Sequence, residues 1–289
     1  MLGEKALRVE SYMRESKKLR GISTLEEMRE RQKANARPLP PDAVKTVLDI
    51  KGVEVEKITL PSSRPDSALV YIHGGGFMNG FASNGYWVST TIARELGMTV
   101  YGINYSLAPE HKYPAAFMDC VKVWKSLISD SVDPGKSAFI GTSAGGTLAL
   151  SVSLWCRDHG IALPSSLVLS SPYVGEGMEP TEYQIENDVI LSYEKGRKNV
   201  YLETADSDDP YAYPVLGDYF LFPFVTLFAS EKEILKAHSD KLDEILTRDG
   251  IPHSYSVDKE LWHAFLNAEV PENEKDVAEA TKNIKDNFR

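Results

Sequence analysis

A serine flanked by glycines, and a glycine-rich loop upstream of it, are the residues of this chain best suited to chemistry. Residues 141–146 read Gly-Thr-Ser-Ala-Gly-Gly, with Ser143 near the centre. Glycines two positions either side of a serine allow the sharp strand-to-helix turn that exposes a nucleophilic hydroxyl. Residues 73–76 read His-Gly-Gly-Gly, and the N–H groups of such a loop can bind a developing alkoxide. Together the two motifs predict acyl transfer through a serine nucleophile.

A serine hydroxyl needs a base to take its proton, and a histidine base needs a carboxylate to fix its tautomer. Of the histidines after Ser143, His263 is the favoured base, because it lies in a predicted loop between the last strand and the last helix. His159 is predicted to be a cation at the C-terminus of a helix. His238 is predicted to lie in the middle of a helix, and His253 at the exposed start of a strand.

The acid follows the strand predicted at 224–229, where Glu231 and Glu233 compete. Glu233 is favoured, although either carboxylate could instead be a helix N-terminal charge stabilised by the dipole. Asp258 and Glu260 are weaker candidates, since they lie very close to His263 in sequence. The support role, holding the glycine loop in shape through backbone hydrogen bonds, is assigned to two residues of that loop: His73 and Gly76.

Strands alternate with helices through most of the chain, which predicts a mostly parallel central sheet with helices on both faces. The predicted strands span 46–50, 53–60, 68–72, 98–104, 137–140, 166–170, 224–229 and 253–257. The predicted helices span 86–96, 114–129, 146–158, 233–248 and 275–288. The glycine loop thus leaves the carboxyl end of strand 68–72, the edge at which parallel sheets bind ligands.

Two segments outside this alternation are predicted to form a helical cap over that edge. The first, 1–41, carries helices at 4–18 and 24–35, the second headed by a Thr24/Glu27 capping box. The other, 174–222, is too long for a structureless loop, and we expect a helix at 188–201. The predicted organisation is a cap segment at 1–41 and a catalytic domain at 42–289, with 174–222 contributing to the cap.

Composition excludes several classes of function. The formal net charge of −10 argues against a nucleic-acid surface. No apolar run approaches the ~20 residues of a membrane span, and the charged N-terminal residues do not resemble a signal peptide, so we expect a cytoplasmic protein without stable membrane association. Cys120 and Cys156 read as buried thiols, and no paired ligand spacing predicts a metal site.

The chain resembles the hormone-sensitive-lipase family of α/β-hydrolase carboxylesterases, nearly from end to end. Besides the two glycine motifs, the resemblance rests on Asn-Tyr-Ser-Leu-Ala-Pro-Glu-His at 104–111, Tyr-Pro-Ala-Ala at 113–116, Asp-Pro-Tyr-Ala-Tyr-Pro at 209–214 and Trp-His-Ala-Phe at 262–265. Three positions depart from the family pattern. Many members have aspartate at the position of Thr142, whereas a GTSAG-type subgroup has threonine there, as this chain does. Tyr213 replaces a usual serine. The acid position holds a glutamate, Glu233, which only some members have.

The resemblance implies an α/β-hydrolase fold and a triad in which Ser143 attacks, His263 acts as base and then acid, and Glu233 orients it. It also implies an oxyanion hole built from three N–H groups: those of Gly74, Gly75 and Ala144.

The family typically hydrolyses short-chain acyl esters without a cofactor, so the expected partner is a small-molecule ester, and many members form homodimers. Phe77 and Trp87 are expected to narrow the acyl pocket. Alternative functions are a lactone or acetyl-ester hydrolase, amide or peptide cleavage, and a non-catalytic ligand-binding protein on the same fold. Retention of His263 argues against the last, because the receptors of this family have lost that histidine.

Overall fold

An eight-stranded sheet forms the centre of the computed structural model, which describes residues 2–34 and 36–289. The strands run in the spatial order β1-β2-β4-β3-β5-β6-β7-β8. The pairs β1–β2 and β2–β4 are antiparallel, and every other neighbouring pair, from β4–β3 to β7–β8, is parallel. Their bounds are Val44–Ile50 (β1), Val53–Thr59 (β2), Ala68–Ile72 (β3), Thr99–Asn104 (β4), Ala138–Thr142 (β5), Ser166–Ser170 (β6), Phe224–Ser230 (β7) and His253–Asp258 (β8).

Helices cover both faces of this sheet, as the sequence predicts. Strands β3, β5 and β6 are buried at every position, which explains why they read as apolar runs rather than as alternating patterns. One face packs against the helices Ala115–Ser129 (α4), Ala144–Asp158 (α5) and Lys236–Arg248 (α7). The other packs against Tyr86–Leu96 (α3) and Glu274–Asp286 (α8).

The N-terminal helices Glu4–Arg20 (α1) and Leu25–Ala34 (α2) attach to loops at the carboxyl edge of the sheet. The Thr24/Glu27 capping box is present, with the Thr24 N–H donating to Glu27 over 2.8 Å and the Glu27 N–H donating to the Thr24 hydroxyl over 3.2 Å. Arg29 donates to the carbonyl oxygens of Met78 and Ala108, each over 2.9 Å. The predicted end of the second helix, Asn35, lies outside the described residues.

The prediction of a helix at 188–201 is wrong. The helix of this insertion is Glu182–Asn187 (α6), capped by Thr181, and a short 3-10 turn follows at Val200–Thr204. The chain turns after α6 because the Asp188 carboxylate accepts the N–H groups of Ile190 and Leu191, each over 2.7 Å. An aspartate side chain that accepts hydrogen bonds from the N–H groups two and three residues later competes with the backbone hydrogen bonds of a helix.

Helix α7 begins at Lys236 rather than at the predicted position 233. The Glu233 N–H donates to the carbonyl of Ser230, so residues 230–233 form a turn before the helix. This turn aims the Glu233 side chain inward rather than along a helix surface, and Glu233 is fully buried.

Candidate active site

Ser143 occupies the turn between β5 and α5 in a conformation that L-residues rarely adopt. Its φ is 51° and its ψ is −122°, and its N–H donates to the carbonyl of Ser170 over 2.9 Å. Strained backbone of this kind persists only where surrounding structure fixes it, and it clusters at active sites. The turn needs glycine at 145, because a Cβ there would lie 2.0 Å from the Ile72 carbonyl oxygen. Close backbone contact therefore ties the serine turn to the end of β3.

The glycine loop after β3 lies against this turn. A Cβ on Gly74 would lie 2.9 Å from the Thr142 carbonyl oxygen, and one on Gly75, whose φ is 119°, would lie 1.9 Å from the Asn79 carbonyl oxygen. The N–H groups of Gly74, Gly75 and Ala144 donate to no acceptor in the part of the chain that the structure describes. Three unused donors beside the serine can hold an oxyanion.

His73 lies beneath the loop and is almost wholly buried. Its Nδ1–H donates to the Gly74 carbonyl over 2.8 Å, and its ring stacks on Tyr105 with centroids 4.1 Å apart. The Tyr105 hydroxyl in turn donates to the His73 carbonyl over 2.8 Å. Burial lowers the pKa of His73 to about 4, so the ring is neutral at physiological pH. These contacts suit a residue that holds the loop in shape.

His263 and Glu233 form a buried hydrogen-bonded pair. The His263 Nδ1–H donates to Glu233 Oε2 over 2.6 Å, and the two side chains are 4% and 0% exposed. Glu233 Oε1 accepts the Ser230 N–H over 2.7 Å, so both carboxylate oxygens are satisfied. An imidazole held at Nδ1 keeps Nε2 free to accept a proton.

The competing carboxylates lie elsewhere. Glu231 is half-buried, and its N–H donates to the Asp258 carbonyl. The Asp258 side chain accepts the N–H groups of Glu260 and Leu261 and thereby caps the loop that leads to His263. Of these candidates, the structure brings Glu233 to the histidine.

The remaining histidines after Ser143 have other partners. His159 is exposed and bonds the Trp155 carbonyl, and His253 bonds Asp243 and the Ile251 carbonyl. His238 is 4% exposed, accepts the Val174 N–H over 3.3 Å, and has its pKa lowered to about 4 by burial and by the nearby His263. His238 lies in the first turn of α7 rather than in the middle of the helix as predicted, and it lines the cleft beside the site.

Three residues that position the site are not among those predicted from the sequence. Ser171 accepts the Ala264 N–H over 2.9 Å and anchors the histidine loop to the end of β6. Tyr105 supports His73, as described above. Asp188 accepts the Ile234 N–H over 2.9 Å and so fixes the backbone next to Glu233. Tyr105 lies within the recognised 104–111 segment, which was the available clue.

The departures at Thr142 and Tyr213 do not leave buried groups unmatched. Thr142 is buried, and its hydroxyl accepts an N–H of Asn267 over 3.3 Å. Tyr213 is half-buried, and its hydroxyl is not left buried without a partner among the described residues.

A cleft of about 590 Å³ opens beside the site, between α1, α2, the insertion and the glycine loop. Its wall includes Gly76 of the loop, His238 of α7 and Leu191 of the insertion. Neither Phe77 nor Trp87 lines it, which corrects the expectation that they narrow the acyl pocket: Phe77 is buried against Tyr201, with ring centroids 4.4 Å apart. The cleft gives a substrate access to the carboxyl edge of the sheet.

Cys120 and Cys156 are free, buried thiols, as predicted. Among residues 2–34 and 36–289, no group of three or more His, Cys, Asp or Glu side chains is placed to share a metal ion. Within the same ranges, no helix has the length and apolar character that crossing a membrane requires.

Comparison with known proteins places the chain among hydrolases. A family described as the alpha/beta hydrolase fold matches residues 69–267. The chain is 28% identical over 237 residues to an esterase of Acinetobacter venetianus, covering 80% of this chain and 78% of that protein. It is 28% identical over 257 residues to an arylesterase of Saccharolobus solfataricus, covering 82% and 83%. A crystal structure of an esterase from the bacterial hormone-sensitive lipase family matches with a TM-score of 0.89 at 26% identity, covering 100% of both chains.

Proposed function

The chain belongs to the α/β-hydrolase family, and from that premise we propose that it is a serine carboxylesterase that hydrolyses short-chain acyl esters through an acyl-enzyme. The observation that carries the proposal is the buried 2.6 Å hydrogen bond between His263 and Glu233, at the same sheet edge as the strained turn of Ser143. Similarity to an esterase of the bacterial hormone-sensitive-lipase family and to the esterase of Acinetobacter venetianus supports ester substrates.

In the proposed mechanism, the Ser143 oxygen attacks the ester carbonyl carbon while its proton passes to Nε2 of His263. The carbonyl oxygen becomes an alkoxide, which the N–H groups of Gly74, Gly75 and Ala144 stabilise. Collapse of this intermediate breaks the bond to the alcohol oxygen, which leaves with the proton from His263. A water molecule then repeats the sequence on the acyl-enzyme and releases the carboxylic acid and the free serine.

We also propose the domain organisation expected above: a cap from residues 1–41 and 174–222 over a catalytic domain at 42–289. The Arg29 contacts to the loops at the carboxyl edge of the sheet support it, as does the Lys17 ammonium, which donates to the Asp188 carbonyl over 2.5 Å. The buried free thiols suit the reducing cytoplasm, which is the compartment we propose.

Two other functions compete with this proposal. A binding protein on the same fold needs neither a proton acceptor nor an orienting carboxylate, and the buried His263–Glu233 pair argues against it. An amidase would use the same residues, so activity must separate the two classes. Acetyl esters and lactones remain within the proposed chemistry, because the same attack on a carbonyl cleaves them.

The test is turnover of matched p-nitrophenyl esters and p-nitroanilides of graded acyl length. The proposal expects ester hydrolysis that is fastest with short acyl groups and slow or undetectable with the anilides. Faster anilide cleavage would make the protein an amidase, and no turnover of any substrate, with saturable binding retained, would favour the binding protein.

A further inference from the structure

A second cavity, of about 350 Å³, adjoins the cleft of the proposed active site. Three residues line both spaces and form the wall between them: Arg20, Met28 and Ile190. The second cavity lies between α1, α2 and residues 79–84, which follow the glycine loop. A substrate held in the cleft could therefore extend a side group into it.

Positive charge is concentrated in this cavity. Arg20, Arg31 and Arg37 line it, and no Asp or Glu side chain does so among the described residues. The chain as a whole has a formal net charge of −10, and the three glutamates of α2, Glu26, Glu27 and Glu30, do not line the cavity. The cavity wall is therefore positively charged although the chain as a whole is negatively charged.

The three guanidinium groups are weakly paired. Arg20 is half-buried and has no carboxylate within 4.0 Å in the described part of the chain, and burial lowers its pKa although Asp188 opposes the shift. Arg31 donates to the Ser23 hydroxyl over 3.0 Å. Arg37 has Glu269 at 3.6 Å, and its Nη1, which is buried, has no hydrogen-bond acceptor among those residues. Removing a guanidinium from water without a close partner is costly, which points to an anion from outside the chain.

The rest of the cavity wall is partly apolar. Met13, Met28 and Ile190 line it together with the amides of Asn79 and Asn84. A small inorganic ion would leave this apolar surface uncovered. A ligand with a hydrocarbon segment and an anionic end would match both parts of the wall, because arginine binds carboxylates through paired N–H groups.

We propose that this cavity is a subsite for the anionic end of the substrate, so that the preferred substrates are esters carrying a free carboxylate on a short aliphatic chain. The inference rests on the proposed esterase function and specifies its substrate class. The carboxylate could belong to the acyl part, as in a dicarboxylic acid monoester, or to the alcohol part, as in the acyl ester of a hydroxy acid.

The test compares kcat/KM for these two kinds of anionic ester with that for their neutral methyl-capped counterparts, over a series of aliphatic chain lengths. We expect one of the two kinds to be preferred by roughly tenfold to a hundredfold at the best length, the range for hydrogen bonds to charged groups. The preference should shrink as salt is raised, because screening weakens the attraction. The kind that shows it identifies the side of the ester that enters the cavity.

The Arg31→Gln/Arg37→Gln double variant should remove most of this preference, and Arg20→Gln should lower it as well. The matched control is Arg14→Gln on α1, since Arg14 is exposed, pairs with Glu10 and lies outside both cavities. Far-ultraviolet circular dichroism verifies that each variant is folded. Equal kcat/KM for anionic and neutral esters, or a preference that the double variant keeps, would overturn the subsite.

A calorimetric titration of the Ser143→Ala protein with a saturated dicarboxylate monoamide and with an N-acyl amino acid, which mimic the two kinds of anionic ester, separates this proposal from the proposed function. Binding that the Arg31→Gln/Arg37→Gln changes abolish supports the subsite even if no ester is turned over. Ester turnover without such binding would contradict the subsite and leave the esterase proposal standing.

Discussion

The Glu233 carboxylate governs the site at the scale of single residues. One of its oxygens accepts the His263 Nδ1–H and the other accepts the Ser230 N–H, so its position is fixed from two directions. A carboxylate in this position selects the tautomer that leaves Nε2 able to take a proton, and it stabilises the imidazolium that forms.

Replacing this carboxylate by an amide should therefore cost far more than the same change two residues earlier. We expect Glu233→Gln to lower kcat by up to ~10⁴-fold, because an amide can hold the wrong tautomer and does not stabilise the cation. Glu231→Gln is the matched control, and its effect should stay within ~0.5 kcal/mol, because Glu231 is half-buried and lies away from His263. Steady-state kinetics on p-nitrophenyl butyrate decides between them, and a larger loss at position 231 would reverse the two assignments.

The sequence was sufficient to propose these site residues, but it could not separate the two glutamates. Both follow β7 and both precede a helix, so their spacing alone allows either to be a helix charge. The choice depends on the turn at 230–233 and on the bond from the Ile234 N–H to Asp188. Asp188 lies 46 residues earlier in the chain, and no local pattern reports such a contact.

At the scale of elements, the site depends on two loops whose backbones touch. The turn from β5 to α5 approaches the end of β3 so closely that a Cβ on Gly145 would lie 2.0 Å from the Ile72 carbonyl oxygen. A contact between backbone atoms cannot be relieved by a side-chain rotation, so the serine and the oxyanion donors hold their relative positions only with glycine there.

Gly145→Ala should therefore both destabilise the protein and reduce activity. Relief of the clash requires moving β3 or α5, and overpacking of this kind typically costs ~1–3 kcal/mol. Gly250→Ala is a useful comparison, because Gly250 has a φ of 67° but no heavy atom near its Cβ position, so only ~1–2 kcal/mol of backbone strain and no loss of kcat are expected. Urea unfolding and kcat report the two effects, and a Gly145→Ala protein with the wild-type kcat would contradict the packing argument.

Strong local periodicity explains which elements could be predicted. The buried strands β3, β5 and β6 and the helices α3, α4 and α5 were found within two residues of their ends. The prediction of a helix in the insertion failed because the structure there depends on the Asp188 side chain, which accepts a hydrogen bond from backbone far away in the chain. Asp188 resembled the start of a helix in the sequence, whereas its carboxylate turns the chain toward Ile190 and reaches across to Ile234.

At the scale of the whole molecule, two buried histidines link folding to pH. Burial holds the pKa of both His73 and His238 at about 4, below the ~6.5 of an exposed histidine. The unfolded chain therefore binds more protons between these values. The stabilising contribution is fully present above about pH 6.5 and is lost as the pH falls toward 4.

His238→Asn should make stability less dependent on pH across this window. Asparagine cannot be protonated there, and its side-chain oxygen can still accept the Val174 N–H that His238 accepts now. The measurement is the free energy of unfolding in urea at pH 7, 6 and 5, with exposed His159→Asn as the control. An unchanged slope in His238→Asn would mean that this histidine is not buried in its neutral form.

Acyl-chain preference is also a property of the assembled molecule, because α1, α2, the insertion and the glycine loop together form the cleft. Its wall combines apolar side chains, such as Met78 and Leu191, with charged ones, among them Lys17, Glu194 and Arg197. A methylene gains ~0.8 kcal/mol only where apolar surface buries it, so the gain should end where an acyl chain reaches the charged side chains. We expect kcat/KM to fall beyond roughly eight carbons across p-nitrophenyl acetate, butyrate, octanoate and palmitate. A maximum at palmitate would instead make the cap a lipid-binding lid.

The acyl-enzyme on Ser143 is the central claim, and mass spectrometry of the protein quenched during turnover of p-nitrophenyl butyrate tests it most directly. We predict one butyryl group, located on the peptide that contains Ser143. The Ser143→Ala protein should keep its fold, carry no adduct and lose ~10³–10⁶-fold in kcat. A butyryl group on another residue, or a Ser143→Ala protein that retains about a tenth of the wild-type rate, would contradict the mechanism.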